Sequence, residues 1–399
     1  MKPAKSPSFA EFIVLIAVMF SMIAFGTDAM LPALPQIAAD LGLSDVNRAQ
    51  LIVTSFILGT GIGQLISGPM SDALGRKPVI LGGLALYALG CIVAYKVNSI
   101  EAMLAARFFQ GLGVSAPRTV TIAMVRDLYA GRIMARAMSF SMVLFVLVPA
   151  VAPLIGQSIA TAFGWRAIFL SFVLFALIGM VWLWLRQPET HPPERRRAVT
   201  FANYKSAIVE VMTSRIVVTY TLVLSFAYGA LFGYLSSAQQ VYVDVFGVGT
   251  MFPAYFALTA LISGASGFLN GAVVVRLGMR ALAVVAFSAA LVANVVMLIV
   301  VLLSPADAAW MLPAFILWSV VNFFVPGLTF GNLNALAMEP MGHIAGMASA
   351  VFGATSTLLG VAVAVPIGLF FDGTVLPLII GFLICSTLSL GLMLTNPKG

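Results

Sequence analysis

Three charged side chains stand inside stretches that are otherwise almost wholly apolar. Asp28 lies in "GTDAMLPALP" from Gly26, and Arg107 and Arg118 bracket "RFFQGLGVSAPR". A charge placed away from water costs at least ~2.5–3.5 kcal/mol even on a lenient insertion scale, so such residues mark function by default. A carboxylate whose burial and cationic neighbours act in opposite senses can exchange a proton near neutral pH. An arginine offers a permanently charged fork to an anion. Acid and guanidinium together therefore suggest proton exchange tied to recognition of a solute. The plainer roles stay open: a carboxylate reaching water beside Pro32, and arginines bonded to backbone carbonyls or reaching the membrane surface. Arg107 follows Glu101 by six positions and Arg118 by seventeen. Eleven residues at 100° each return Arg118 to within about 20° of Arg107, roughly 16 Å further along one helix face.

The elements that hold these residues are greasy. The chain has 399 residues, 61% of them hydrophobic and only 9% charged, with a mean hydropathy of +1.07. That is too little polar surface for a soluble fold. Apolar runs long enough to span ~30 Å of hydrocarbon fall at 12–34, 48–70, 78–97, 102–123, 137–160 and 166–185. After a polar interval they resume at 215–237, 251–274, 281–303, 309–331, 344–370 and 374–394. Backbone donors in lipid need partners within their own segment, so the spans are helices. The expected fold is an all-α integral membrane protein with twelve transmembrane helices. Lys2 and Lys5 precede the first run, which is too long for a signal h-region and lacks a small-residue cleavage site. Cys91 and Cys385 fall in runs of different halves and imply no disulfide or metal framework.

The net charge of +7 is unevenly spread. With both termini cytoplasmic, most Lys and Arg fall on that side, including Arg76, Lys77, Arg126, Arg132, Arg136, Arg195, Arg196, Arg197, Arg276 and Arg280. Arg48, Lys96 and Arg166 fall opposite, beside Asp40, Asp45, Glu101, Asp244, Asp307 and Asp372. This positive-inside bias predicts cytoplasmic N and C termini. The basic balance is topogenic, and nucleic acid is not an expected partner.

The polar stretch "RQPETHPPERRRAVTFANYKS" from Arg186 divides the chain. Residues 1–186 are expected to form one six-helix bundle, 187–214 a cytoplasmic linker, and 215–399 a second bundle. "GPMSDALGRKPVIL" after the second run and "GAVVVRLGMRALAV" after the eighth align Gly68 with Gly271 and Gly75 with Gly278. The halves thus look like pseudo-repeats, a construction that places substrate near the bilayer midplane. In the first copy Gly68 and Gly75 permit close contacts and positive φ, and Pro69 and Pro78 limit helix continuation. Asp72 is suited to accept from the amides of a helix start, and Arg76 to fork onto Asp127 of "MVRDLY". With Lys77 these residues form a candidate conformational latch; the bland alternative is topogenic charge on a tight loop.

"GPMSDALGRKPVIL" resembles the loop signature of the major facilitator superfamily through Gly68, Asp72, Gly75, Arg76 and Lys77. "TDAMLPALPQIAADLG" resembles the first-helix pattern of its drug:proton antiporters, and "RFFQGLGVSAPRTVTIAMVRDLY" the fourth-helix pattern through Arg107, Gln110, Gly111 and Gly113. With "ARAMSFSM" and "VPAVAPLIGQ", the subgroup resembled is the bicyclomycin/chloramphenicol-resistance exporters of the bacterial inner membrane. The resemblance implies the major facilitator fold, Asp28 as the proton-coupling acid, and Arg107 as the residue that influences it and the substrate. It implies proton-driven export of small amphipathic compounds by rocking of two bundles. The fifth-helix antiporter pattern is altered to Ala152, Pro153, Gly156 and Gln157; Pro149, Pro153 and Gly156 still share a face, which suits a kink and close packing.

Tyr234, Gln239 and Asn322 are softer cavity candidates, since such groups also serve as interhelical hydrogen bonds. Arg118 either reaches the cytoplasmic surface beside Arg126 or adds a second cation to the cavity, which would favour anionic or zwitterionic cargo. The cofactor expectation is none beyond a proton gradient, and the partners are a small molecule, protons and the bilayer, with the protein monomeric. A transporter of one anionic or vitamin-like metabolite is the second reading, and a non-transporting receptor or scaffold the third. Enzyme chemistry is not expected: no phosphate loop, zinc-ligand spacing or nucleophile–base pair is found, and the two histidines, His191 and His343, sit in or beside polar loops.

Overall fold

The computed structural model describes residues 7–129, 131–196, 201–305 and 308–395, and the side chains of 131–132, 135–136, 138–147, 195, 201–204 and 345 are not among those described. Of the charges used above, Lys2, Lys5, Arg197 and Asp307 lie outside these residues, as do the side chains of Arg132, Arg136 and Arg195. The described chain is helical throughout.

Ser8 opens α1 (Phe9–Asp28) by accepting from the Glu11 N–H at 3.2 Å. The helix ends at Asp28, earlier than the expected run to 34. Its place is taken by a short 3₁₀ turn, Leu31–Ala33, and a separate helix α2 (Leu34–Asp40). Pro32 and Pro35 each sit in a first turn, where a missing N–H costs nothing. Then follow α3 (Leu51–Leu74), α4 (Arg76–Lys96), α5 (Ile100–Leu128), α6 (Gly131–Phe163), α7 (Arg166–Arg186) and α8 (Phe201–Thr213). The expected linker is therefore partly helical. The second half supplies α9 (Arg215–Gln240), α10 (Phe252–Leu277), α11 (Met279–Leu303), α12 (Met311–Met338), α13 (Ala345–Leu369) and α14 (Leu376–Thr395).

Ten helical stretches among the described residues are long and apolar enough to cross a membrane. The two expected spans not among them are α5 and α6. Arg107, Arg118, Arg126 and Asp127 dilute the apolar character of α5, and the apolar stretch described in α6 is the short Val148–Phe163.

The chain divides into two compact units, Met1–Ala207 and Ile208–Gly399. In the first, α5 packs on α3 and α4, α4 on α7, and α1 on α6 and α7. In the second, α12 packs on α10 and α11, α11 on α14, and α9 on α13 and α14. The same neighbour pairs recur in order. The paired loops agree in detail: α3 and α10 both stop at a glycine of positive φ, Gly75 at +103° and Gly278 at +83°. Side chains adopt such a backbone only with strain. The loop after α3 is shorter than expected, because α3 runs through Gly68 and Pro69 and only Gly75 separates it from α4.

Candidate functional site

Asp28 is the last residue of α1, and its side chain is 3% exposed. No donor or cation among the described residues bonds to its carboxyl. Two features fix this spot. The terminal turns of α1 are bound from the side by Arg107, and α6 presses against Ala29. A Cβ added at Gly156 would collide with the Ala29 carbonyl, so glycine there sets the approach of α6. Pro153 and Pro149 lie one and two turns earlier in the same helix.

Arg107 is fully buried and uses all three guanidinium nitrogens. Nη2 donates to the Gly26 carbonyl at 2.9 Å, Nε to the Ile52 carbonyl at 3.2 Å, and Nη1 to Gln110 Oε1 at 2.9 Å. Its carbon lies 4.2 Å from the centre of the Phe56 ring, a cation–π contact. Gly111 makes this possible, since any side chain there would strike the Phe56 carbonyl and push α3 away. Gln110 in turn donates to Cys91 Sγ at 2.7 Å. The bond to Gly26, two residues before Asp28, places Arg107 beside the Asp28 end of α1. It forms no ion pair with Asp28 and faces α1 and α3 rather than open space. Nothing in the sequence marks Cys91 as part of this chain of bonds.

Arg118 is half-buried on α5 and has no ion pair or hydrogen bond to any described residue.

The residues around the loop between α3 and α4 form one network. Arg76, 7% exposed, donates from Nε to Asp127 Oδ2 at 3.0 Å and from Nη1 to Ser71 Oγ at 2.7 Å and to Asp72. Asp72 does not accept from helix-start amides, as its position suggested; it is held by the side chain one turn on. That capping role belongs to Glu189, whose carboxylate accepts the Arg76 and Lys77 amides at 2.9 and 3.0 Å. Two acceptor bonds at a helix N-terminus also meet the positive end of its dipole. Thr190 Oγ1 donates to Asp127 at 3.1 Å, and the Lys77 ammonium reaches the Trp184 carbonyl at 2.8 Å rather than an acid. The "PET" of the polar stretch is thus clipped onto the first unit. Its only sequence signal was an acid among basic residues, because its partners lie 63 to 113 positions away.

The second unit carries its own polar core. Tyr234 donates to Ser319 Oγ at 3.1 Å, and its ring packs among Phe315, Phe323 and Phe382. Asn322 donates to Asn294 Oδ1 at 3.1 Å, which also accepts from Trp318 Nε1 at 2.7 Å. Asn294 closes the network on Ser386 Oγ at 3.0 Å, and Asn322 borders a cavity of about 30 Å³. Gln239 is buried, and its Oε1 has no partner among the described residues.

Residues 14–365 match the Major Facilitator Superfamily. The chain belongs to that superfamily. It is 30% identical to a bicyclomycin resistance protein homolog of Haemophilus influenzae, over 88% of this chain and 86% of that one. It is 30% identical to a chloramphenicol resistance protein of Pseudomonas aeruginosa, over 96% and 90%. With multidrug resistance protein D of Escherichia coli it shares 32% identity over 48% and 49%. These relatives are named for resistance to bicyclomycin, to chloramphenicol and to multiple drugs. A D-xylose–proton symporter structure superposes with a TM-score of 0.75 at 15% identity, over 97% of each chain, which shows the fold. The protein is a multi-pass membrane transporter of this superfamily and not an enzyme.

Proposed function

We propose that this transporter exports small amphipathic compounds in exchange for protons, by alternating access, with Asp28 as the proton-exchanging group. One observation carries the reading: a carboxyl at the end of α1, 3% exposed, with no bonding partner among the described residues. An unpaired charge in such a place is costly, so proton binding and release are tied to whether water or cargo reaches it. Arg107 supports the reading as the clamp that holds the terminal turns of α1, and Arg76, Asp127 and Glu189 as a latch on the cytoplasmic side. Drug resistance in the names of the relatives supports amphipathic cargo.

Twelve crossings belong to the same proposal. By their neighbours, α5 and α6 correspond to α12 and α13, which are both apolar enough to span, and α5 at 29 residues is about 43 Å long. The charge bias supports cytoplasmic termini in a bacterial inner membrane, and a monomer is the simplest working unit. The domain limits 1–186 and 215–399 follow from the apolar runs.

The test uses everted vesicles loaded with a pH-sensitive dye under an inward-acid gradient. Adding chloramphenicol is expected to release protons from vesicles holding the wild type and not from those holding Asp28→Asn. Proton-independent exchange, or unchanged coupling in Asp28→Asn, would refute the scheme. A transporter of a single anionic metabolite is the second reading, favoured by Arg118, a cation without a partner among the described residues.

A further inference from the structure

Resting on the transport reading above, we infer that Arg118 is the counter-charge for an anionic group of cargo, so that amphipathic carboxylates and zwitterions are among the compounds transported. Arg107 cannot take that part, because it is wholly buried and each of its nitrogens already donates to protein. Arg118 has no such commitment among the described residues. Most carboxylates of its unit are engaged elsewhere, and Asp28 lies at the level of Arg107, about 16 Å from Arg118 along α5. Glu11 pairs with Arg186, Asp40 with Arg166, Glu101 with Arg48, and Asp72 and Asp127 with Arg76, while Glu189 caps α4. The side chains of 138–147, "MSFSMVLFVL", include no acid.

Two further donors lie at the same level. Thr121 Oγ1, almost one turn beyond Arg118, and Ser67 Oγ on α3 are both buried without a hydrogen-bond partner among the described residues. The register of α3 on α5 sets Ser67 at the level of Arg118. Ser55 bonds the Leu104 carbonyl, and Cβ atoms at Gly59 and Gly63 would meet Phe108 and Ser115. The helices therefore run parallel, and Ser67 falls opposite Arg118 and its neighbours. Buried hydroxyls are rarely left without a partner, and a guanidinium with two hydroxyls is a donor set for a carboxylate. Surface anchoring explains Arg118 less well. Helical side chains lean toward the helix N-terminus, here toward Arg107, whereas Arg126 lies about 12 Å the other way.

The test is equilibrium binding to the full chain in neutral detergent, with probes that differ in one group: 1-naphthoate, 1-naphthamide and 1-naphthylmethylammonium. The wild type is expected to hold naphthoate about ten- to a hundredfold tighter than the amide. Arg118→Gln is expected to abolish that preference, and Arg118→Lys to keep most of it. Should Arg118→Gln fail to fold, the double variant Ser67→Ala with Thr121→Val is expected to lower the preference severalfold. Equal weakening of all three probes in Arg118→Gln, an intact naphthoate preference, or no preference in the wild type would overturn the assignment. In phosphatidylcholine nanodiscs, competition by added phosphatidylglycerol in the wild type but not in Arg118→Gln would give the site to a lipid headgroup and overturn it too. No gradient is applied, so a naphthoate preference that survives in a protein without proton coupling separates this inference from the antiport reading.

Discussion

Arg107→Lys keeps the charge and removes the fork. In the wild type three acceptors from three places depend on that fork: the Gly26 carbonyl near the end of α1, the Ile52 carbonyl at the start of α3, and Gln110 Oε1 on α5 itself. One ammonium cannot reach all three, and it loses the flat contact with Phe56. Two lost charge-assisted bonds at about 1.5–3 kcal/mol each give roughly 3–6 kcal/mol, less whatever relaxation recovers. For a unit of this size that is a fall in apparent Tm on the order of 10 °C. The assay follows from the chain itself, whose two cysteines are both buried. A thiol-reactive fluorogenic maleimide reports unfolding, and a Cys385→Ala background leaves Cys91 as the sole reporter. Cys91 accepts from Gln110 beside the clamp, so its labelling should advance with the loss of Arg107. An apparent Tm within about 2 °C of the wild type would refute the clamp.

Gly156→Val drives a side chain into the Ala29 carbonyl and is expected to abolish transport while costing about 1–3 kcal/mol of overpacking; transport at the wild-type rate would contradict the packing. Glu189→Ala removes both caps on α4, about 1–2 kcal/mol, and should free the segment after α7. Limited trypsin digestion in detergent is then expected to cut at Arg195 to Arg197 severalfold faster, and an unchanged rate would count against the clip.

Much of the membrane fold was readable because lipid imposes one rule on every helix: a long apolar run with its backbone satisfied internally. The runs predicted most of the helices to within a few residues. The rule fails where charge is needed, and so α5, the helix that carries Arg107 and Arg118, is the least apolar of the expected spans. Breaks within apolar runs were equally opaque. The end of α1 at Asp28 and the separate α2 depend on how Pro32 and Pro35 are used, and proline fits a first turn as well as a stop.

At the candidate site, residue types were visible and partnerships were not. Asp28, Arg107 and Arg118 stood out because charge is conspicuous in apolar sequence, but only the packing of α5 on α3 and α1 decided that Arg107 is spent on carbonyls and Arg118 is not. Asp127 was found as the partner of Arg76 because both lie next to helix ends of the same side. Glu189 was missed because its bonds to α4 join positions more than a hundred apart, and Cys91 because its bond to Gln110 depends on how α4 packs on α5.

The sequence by itself determined that this is a helical membrane protein of two related halves, because composition and periodic apolar runs act through local backbone satisfaction and solvent preference. Only the tertiary structure decided which charges are paired, which glycine lets α6 reach the end of α1, and which acid caps α4. Those depend on angstrom-scale contacts between segments a hundred residues apart, where the energy belongs to the pair and neither residue announces it alone.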